Sequence, residues 1–290
     1  MVEPNFSYAD PTDPLVKRQF IRLVERISGQ RHLRRLYLDN RHHPKPGESF
    51  FAAAVRRLAV DVQFDAARLA RIPAHGPLVI VANHPYGVLD GIVISWLVEQ
   101  VRKDFLVLTN AVLLRAPEIA AHVLAVDFAA TPEATQTNIA SRAAARAHLE
   151  QGGVIVVFPA GGVSTTPDRW GRHPAIDAPW QPFTAQLIQR TKADVLPVCF
   201  SGQNSRLFQI ASHLSQTLRL SLIFHEVRAR MGTSLPVAIG EVIPYEKLSG
   251  FKDRQELANE LMRRTYALGR SELQAHGTAG GRRRKLKAQY

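Results

Sequence analysis

Cysteine is nearly absent: Cys199 stands alone in 290 residues, which excludes an internal disulfide and a thiolate-rich zinc or iron–sulfur site. That scarcity favours a reducing compartment. Long apolar runs are missing too, since the best, Ile92 to Val98 and Val154 to Phe158, fall far short of the about 18 consecutive apolar residues a membrane-spanning helix needs. Surface association stays open, because it requires only an amphipathic or basic face. The opening Met1-Val-Glu-Pro-Asn-Phe lacks a cationic stretch running into an apolar one, so no secretory signal is expected and the chain is expected to stay inside the cell. Acidic residues are few beside basic ones: 25 Asp and Glu against 37 Lys and Arg leave +12 at pH 7, which points to an anionic partner. What the chain has in full measure is core-forming residues, with 46% hydrophobic and 21% charged, so a disordered or collagen-like chain is excluded.

The length admits two domains or one large α/β unit. Val16, Phe20, Val24 and Ile27 recur at helical spacing between Asp13-Pro14 and Gly29, which predicts an amphipathic helix over Leu15 to Ser28. Short helices are expected over Arg31 to Leu38 and, after Pro44-Lys-Pro-Gly47, over Ser49 to Leu58. From residue 60 short apolar runs alternate with longer amphipathic ones, the pattern of strand–helix–strand units. Strands are expected at Val60 to Phe64, Leu78 to Ala82, Phe105 to Thr109, Gly153 to Phe158, Val195 to Phe200 and Val237 to Gly240. Helices are expected at Gly91 to Lys103, Ala134 to Gln151, Phe183 to Arg190, after Ser205, and at Lys252 to Leu273. The fold class is therefore α/β, a mixed and largely parallel sheet flanked by helices, preceded by a helical segment. Residues 1–59 read as a basic N-terminal segment, 60–275 as the α/β domain and 276–290 as a disordered basic tail, which has no apolar face to repay ordering.

Two strand ends carry the chemistry. Asn83-His84-Pro85-Tyr86-Gly87-Val88-Leu89-Asp90-Gly91 leaves a buried strand and enters a helix, the junction where open α/β sheets bind ligands. If the Pro-Tyr-Gly turn folds back, Asp90 reaches one ring nitrogen of His84, setting its tautomer and leaving the other nitrogen to accept a proton. On spacing alone Asp90 can equally cap the helix while His84 bonds the turn. The second end, Phe158-Pro159-Ala160-Gly161-Gly162-Val163-Ser164-Thr165-Thr166, sets two glycines and three hydroxyls directly after a strand. Such a loop brings backbone N–H groups close to a ligand. His42-His43 reads as a loop pair rather than a metal site, having no third ligand nearby. Trp96, Trp170 and Trp180 read as packing, with a lipid-dipping role for Trp170 and Trp180 as the alternative.

These two segments resemble the glycerolipid and lysophospholipid acyltransferase superfamily, in particular its bacterial branch of hemolysin-like and lyso-ornithine-lipid acyltransferases. Thr109 to Pro117 leading into Ala125-Val-Asp-Phe128, and Leu196 to Phe208, are similar to two further blocks of that branch, so the resemblance spans residues 78–245. It implies acyl transfer from acyl carrier protein or acyl-CoA to a lysolipid hydroxyl, with His84 as general base and Asp90 as its partner. It implies no metal, no cofactor and no acyl-enzyme, in keeping with the lack of a Gly-x-Ser-x-Gly elbow. Asn83, Gly87, Arg115, Gly161, Gly162, Ser164, Asn204 and Arg206 are the expected substrate-binding residues, Gly161 and Gly162 doubling as candidates for oxyanion stabilisation. An anionic membrane surface is the expected docking partner, on the cytoplasmic face of the inner membrane, and no nucleic acid is expected.

The chain departs from the wider superfamily in ways that bear on the acceptor. Five residues rather than four separate His84 from Asp90, a spacing the hemolysin-like branch shares. The common third motif, Phe-Pro-Glu-Gly-Thr-Arg, has Ala160 and Val163 where its carboxylate and arginine stand. A simple phosphate-headed acceptor is thereby put in doubt, with Arg115, Arg169 or Arg172 as candidate replacement cations. Alternatives are a basic nucleic-acid-binding protein, a catalytically dead membrane adaptor, and a thioester hydrolase or amine acyltransferase on the same fold. Charge location weighs against the first. Lys17, Arg18, Arg22, Arg26, Arg31, Arg34, Arg35 and Arg41 against Glu25 and Asp39 make +6, and Arg282, Arg283, Arg284, Lys285 and Lys287 make +5, leaving the motif-bearing core nearly neutral. Two basic anchors flanking an enzyme are expected, each residue near an anionic leaflet contributing about 1 kcal/mol.

Overall fold

The apolar run Leu78 to Ala82 becomes a central strand because it is covered on both faces. Its alternate side chains divide between two cores: Leu78, Ile80 and Ala82 belong to one, Val79 and Val81 to the other. The computed structural model describes residues 15, 18–19, 29–110, 117–127 and 131–286, with side chains to residue 270. Its elements run α1 (Gln30–His42), α2 (Phe50–Leu58), β1 (Asp61–Gln63), α3 (Ala66–Ala70), β2 (Leu78–Ala82), α4 (Val88–Glu99) and β3 (Phe105–Asn110). A 3-10 turn (Pro117–His122) leads into β4 (Val123–Val126), α5 (Pro132–Glu150), β5 (Val154–Val157), α6 (Pro182–Thr191) and β6 (Asp194–Phe200). The chain continues with α7 (Arg206–Leu214), α8 (Gln216–Ser221), α9 (Ile223–Arg230), β7 (Ser234–Ile239) and α10 (Arg254–Leu286).

The seven strands lie in the order β1-β7-β6-β2-β5-β3-β4. From β6 to β4 every pairing is parallel; β7 turns antiparallel to β6 and carries β1 parallel to itself. This is the expected mixed, largely parallel α/β sheet. One face is covered by α2, α4 and α9, whose Phe51, Val55, Leu58, Leu89, Val93, Leu97 and Val227 pack on β2 and β3. The other is covered by α5, α6 and α10 through Leu149, Leu187, Ile188, Leu257 and Leu261. With β2, β5 and β3 pointing the same way, the loops after them gather at one edge of the sheet, where the two motifs meet.

Several expected boundaries move for identifiable reasons. Helix α4 begins at Val88 rather than Gly91, because Gly87 takes the N-cap position and Asp90, inside the first turn, accepts its N–H. The segment 1–59 is not separate from the domain where it is described: Ser49 caps α2, and Phe51, Val55 and Leu58 enter the same core as β2. The final helix extends to Leu286, through much of the stretch expected to be a disordered tail. Extending a helix already nucleated on the core adds one hydrogen bond per residue without a new nucleation cost. Of the amphipathic helix expected at Leu15 to Ser28, residues 16–17 and 20–28 lie outside the described residues.

Candidate active site

His84 lies one residue beyond Asn83 at the end of β2, and its ring packs on Phe158 at the end of β5, centroids 4.0 Å apart. Its Nδ1 stands 3.1 Å from Oδ2 of Asp90, whose side chain is fully buried. The same Oδ2 accepts the N–H groups of Tyr86 at 2.7 Å and Gly87 at 3.0 Å. One carboxylate oxygen thus both caps α4 and faces the imidazole. The approach of Nδ1 is close enough for an ion pair but off-line for a hydrogen bond, and Asp90 Oδ1 has no hydrogen-bond partner among the described residues. Such pairs commonly straighten when substrate binds.

Burial pushes the Asp90 carboxyl above the usual carboxylate range, opposed by His84 and the two backbone N–H groups. A buried carboxylate that lacks a full cation as partner is stabilised most when the neighbouring imidazole takes a proton. The pair is thereby suited to receiving a proton on His84 during reaction. The tight turn depends on Gly87, whose φ is +71°; an added Cβ would lie 2.8 Å from Ile223 Cδ1 and 3.1 Å from Val163 Cγ2.

The second loop is held against this turn by Asp177, a buried carboxylate that the sequence reading did not single out. Its Oδ1 accepts from Ser164 Oγ at 2.5 Å and from the His84 backbone N–H at 3.2 Å, and its Oδ2 from Trp180 Nε1 at 2.9 Å. The Ser164 N–H in turn donates to the His84 carbonyl at 2.8 Å. Loop 159–164 and residue 84 are therefore tied through both main chain and side chains. The signal was present only as an acidic residue among prolines and tryptophan at 174–180.

His84, Gly87, Gly161 and Gly162 line one cleft of about 390 Å³, together with Phe158, Arg142, Arg219 and Ile223. Gly161 turns its N–H back to the Phe158 carbonyl, leaving Gly162 as the better placed glycine for stabilising charge on a substrate. Other expected binding residues are engaged elsewhere. Asn83 is buried and pins β2 to β6, its Nδ2 donating to the Phe200 carbonyl and its Oδ1 accepting the Phe200 N–H. Ser164 is buried on Asp177. Asn204 is buried away from the cleft lining, its amide atoms without partners, and Arg206 donates to the Trp170 carbonyl at 2.8 Å. Arg115 lies outside the described residues. Arg169 lies over the Trp170 ring, and Trp180 is core.

The cleft adjoins an apolar chamber of about 190 Å³ between α1, α2 and α4, walled by Leu33, Phe50, Phe51, Ile92 and Ile119 among others. Val88, Gly91 and Thr109 line both spaces. No described helix is long and apolar enough to cross a membrane.

The acyltransferase family model matches residues 64–201, which include His84, Asp90, Gly161, Gly162 and Asp177. No curated protein matches the chain. Among solved structures the chain is similar to the 1-acyl-sn-glycerophosphate (LPA) acyltransferase PlsC from Thermotoga maritima, with a TM-score of 0.50 and 17% identity over 89% of this chain and 88% of that one. The likeness shows the shared fold. The family match covers the segment that holds the His–Asp pair.

Proposed function

We propose that the protein transfers a fatty acyl group from a thioester, acyl-CoA or acyl carrier protein, to the hydroxyl of a lysolipid, as a member of the hemolysin-like and lyso-ornithine-lipid branch. The carrying observation is the placement of His84, paired with buried Asp90, on a cleft that shares Val88, Gly91 and Thr109 with an apolar chamber. A cleft for the reacting groups beside an apolar compartment for a hydrocarbon tail fits a substrate with a polar head and a long apolar chain.

In this reading His84 Nε2 takes the proton of the acceptor hydroxyl as its oxygen attacks the thioester carbonyl. Asp90 keeps Nδ1 protonated and stabilises the imidazolium that forms. The tetrahedral oxyanion collapses, the C–S bond breaks, and the leaving thiolate takes the proton from His84. Gly162 N–H is our candidate donor to the oxyanion. We place the enzyme peripherally on the cytoplasmic face of the inner membrane; exposed Trp170, Leu207 and Leu214 beside Arg169 and Arg206 support that placement.

The test is mass spectrometry of products from purified protein given acyl carrier protein or CoA thioesters and a panel of lysolipids. A new diacyl lipid is expected, and free fatty acid as the sole product would make the protein a hydrolase instead. His84→Ala should lower transfer by about 10²- to 10⁴-fold with an unchanged circular dichroism spectrum. Wild-type turnover in that variant would overturn the mechanism.

A further inference from the structure

We infer that Arg219, on α8, binds an anionic oxygen group of a substrate, a phosphate or a carboxylate, at the rim of the His84 cleft. The inference rests on the acyl-transfer reading and adds the residue that selects a charged substrate.

Arg219 lines the cleft with His84, Gly161 and Gly162, and also lines a smaller depression formed by Gly162, Val163, Thr165, Ile176, Asp177 and Ala178. Its guanidinium donates through Nη2 to the Val163 carbonyl. A Cβ added to Gly162 would stand 3.7 Å from Nη2, so the cation lies over the exposed backbone of the glycine pair. A guanidinium carries five N–H donors. Among the described residues the Val163 carbonyl is its hydrogen-bond acceptor, no carboxylate forms an ion pair with it, and the Phe208 ring lies 5.9 Å away. Half-buried, the group is pushed below the usual arginine range by desolvation, with no charged neighbour contributing. A partly desolvated cation without a counter-ion, its remaining donors at a cleft, is completed by an oxyanion in a way that water at a surface arginine is not.

The position carries a further consequence. Val163 stands where the common third motif has its arginine, and the structure brings a guanidinium to that residue's carbonyl from 56 positions along the chain. The cation expected from Arg115, Arg169 or Arg172 is supplied by α8. The doubt that the loss of the motif arginine cast on an anionic acceptor is removed.

Two paired comparisons test this and separate the sources of the anion. The acceptors are 1-acylglycerol 3-phosphate and neutral monoacylglycerol; the donors are acyl-CoA and the phosphate-free acyl N-acetylcysteamine thioester. Arg219→Gln is expected to raise KM for the phosphate-bearing member of one pair by roughly 10- to 100-fold, as for loss of a charge-assisted hydrogen bond, with the neutral member within about twofold. Loss in the acceptor pair assigns the group to the lysolipid, and loss in the donor pair assigns it to the donor. Arg219→Lys should restore part of the affinity, and it serves in place of Arg219→Gln if thermal melts show the latter misfolded. Equal changes for charged and neutral members, or none, would overturn the assignment. Calorimetric titration with glycerol 3-phosphate and with CoA gives a readout without turnover: binding of either by wild type that is lost in Arg219→Gln supports the site, and equal or absent binding of both ligands in both proteins refutes it. A wild-type protein that binds but transfers nothing would refute acyl transfer and leave the anion site standing.

Discussion

Gly91 offers the sharpest probe of the link between chamber and chemistry. It is the fourth residue of α4, where a glycine costs roughly 0.5–1 kcal/mol relative to alanine, yet a Cβ there would meet nothing within 4 Å. The helix therefore accepts a weak residue at a position with room for a side chain, and since Gly91 lines both the cleft and the apolar chamber, we propose that this room is the neck between them. Gly91→Leu should leave the protein folded, with thermal stability equal to or above wild type. It should also fill the neck. If the side chain denies the pocket to about four methylenes at about 0.8 kcal/mol each, the loss is about 3 kcal/mol, or roughly 200-fold in kcat/KM for a long acyl chain. A donor too short to reach the neck should keep its rate. The assay is kcat/KM across a series of acyl-CoA chain lengths, with a melting curve on each variant. A profile shifted to short chains is expected; an unchanged chain-length profile in a stably folded Gly91→Leu protein would refute the assignment of the chamber to the acyl chain.

Two further outcomes follow from buried and paired carboxylates. Asp177→Ala strands Ser164 Oγ, Trp180 Nε1 and the His84 N–H, and should cost about 3 kcal/mol in urea unfolding while lowering kcat through misplacement of residue 84; unaltered stability and rate would show the network idle. Glu260 is held down to about 2 by Arg263 and Arg264, so its pairing stabilises the fold above the unfolded carboxylate range and is lost as pH falls toward 2. Glu260→Gln should then lower the melting temperature at pH 7 and converge with wild type near pH 2, and a pH-independent difference would contradict the pairing.

Much of the fold was legible because its signals are local. Five buried residues in β2 and four in β5 read as strands covered on both sides, and the sheet confirms that reading. The His84–Asp90 pair was legible because a Pro-Tyr-Gly turn joins residues six apart and a helix cap fixes the carboxylate. Expected binding roles for Asn83 and Ser164 gave way to structural ones for a reason that spacing does not carry. A polar residue at a strand end serves the ligand or the neighbouring strand according to which backbone groups lie unsatisfied beside it, and Phe200 and Asp177 lay there.

By itself the sequence determined the class of fold, the two strand-end loops that meet at the cleft, the His–Asp pair and the placement of the charge excess outside the motif-bearing segment. Periodicity, caps and turns act over a few residues, so their record is written in adjacent positions. Tertiary structure alone decided that Asp177 braces His84 from 93 positions away, that Arg219 reaches Val163, and that α1 and α2 wall an apolar chamber. These meetings depend on the order of strands in the sheet and on which helices cover each face, and no spacing along the chain encodes the distance between residues that only packing brings together.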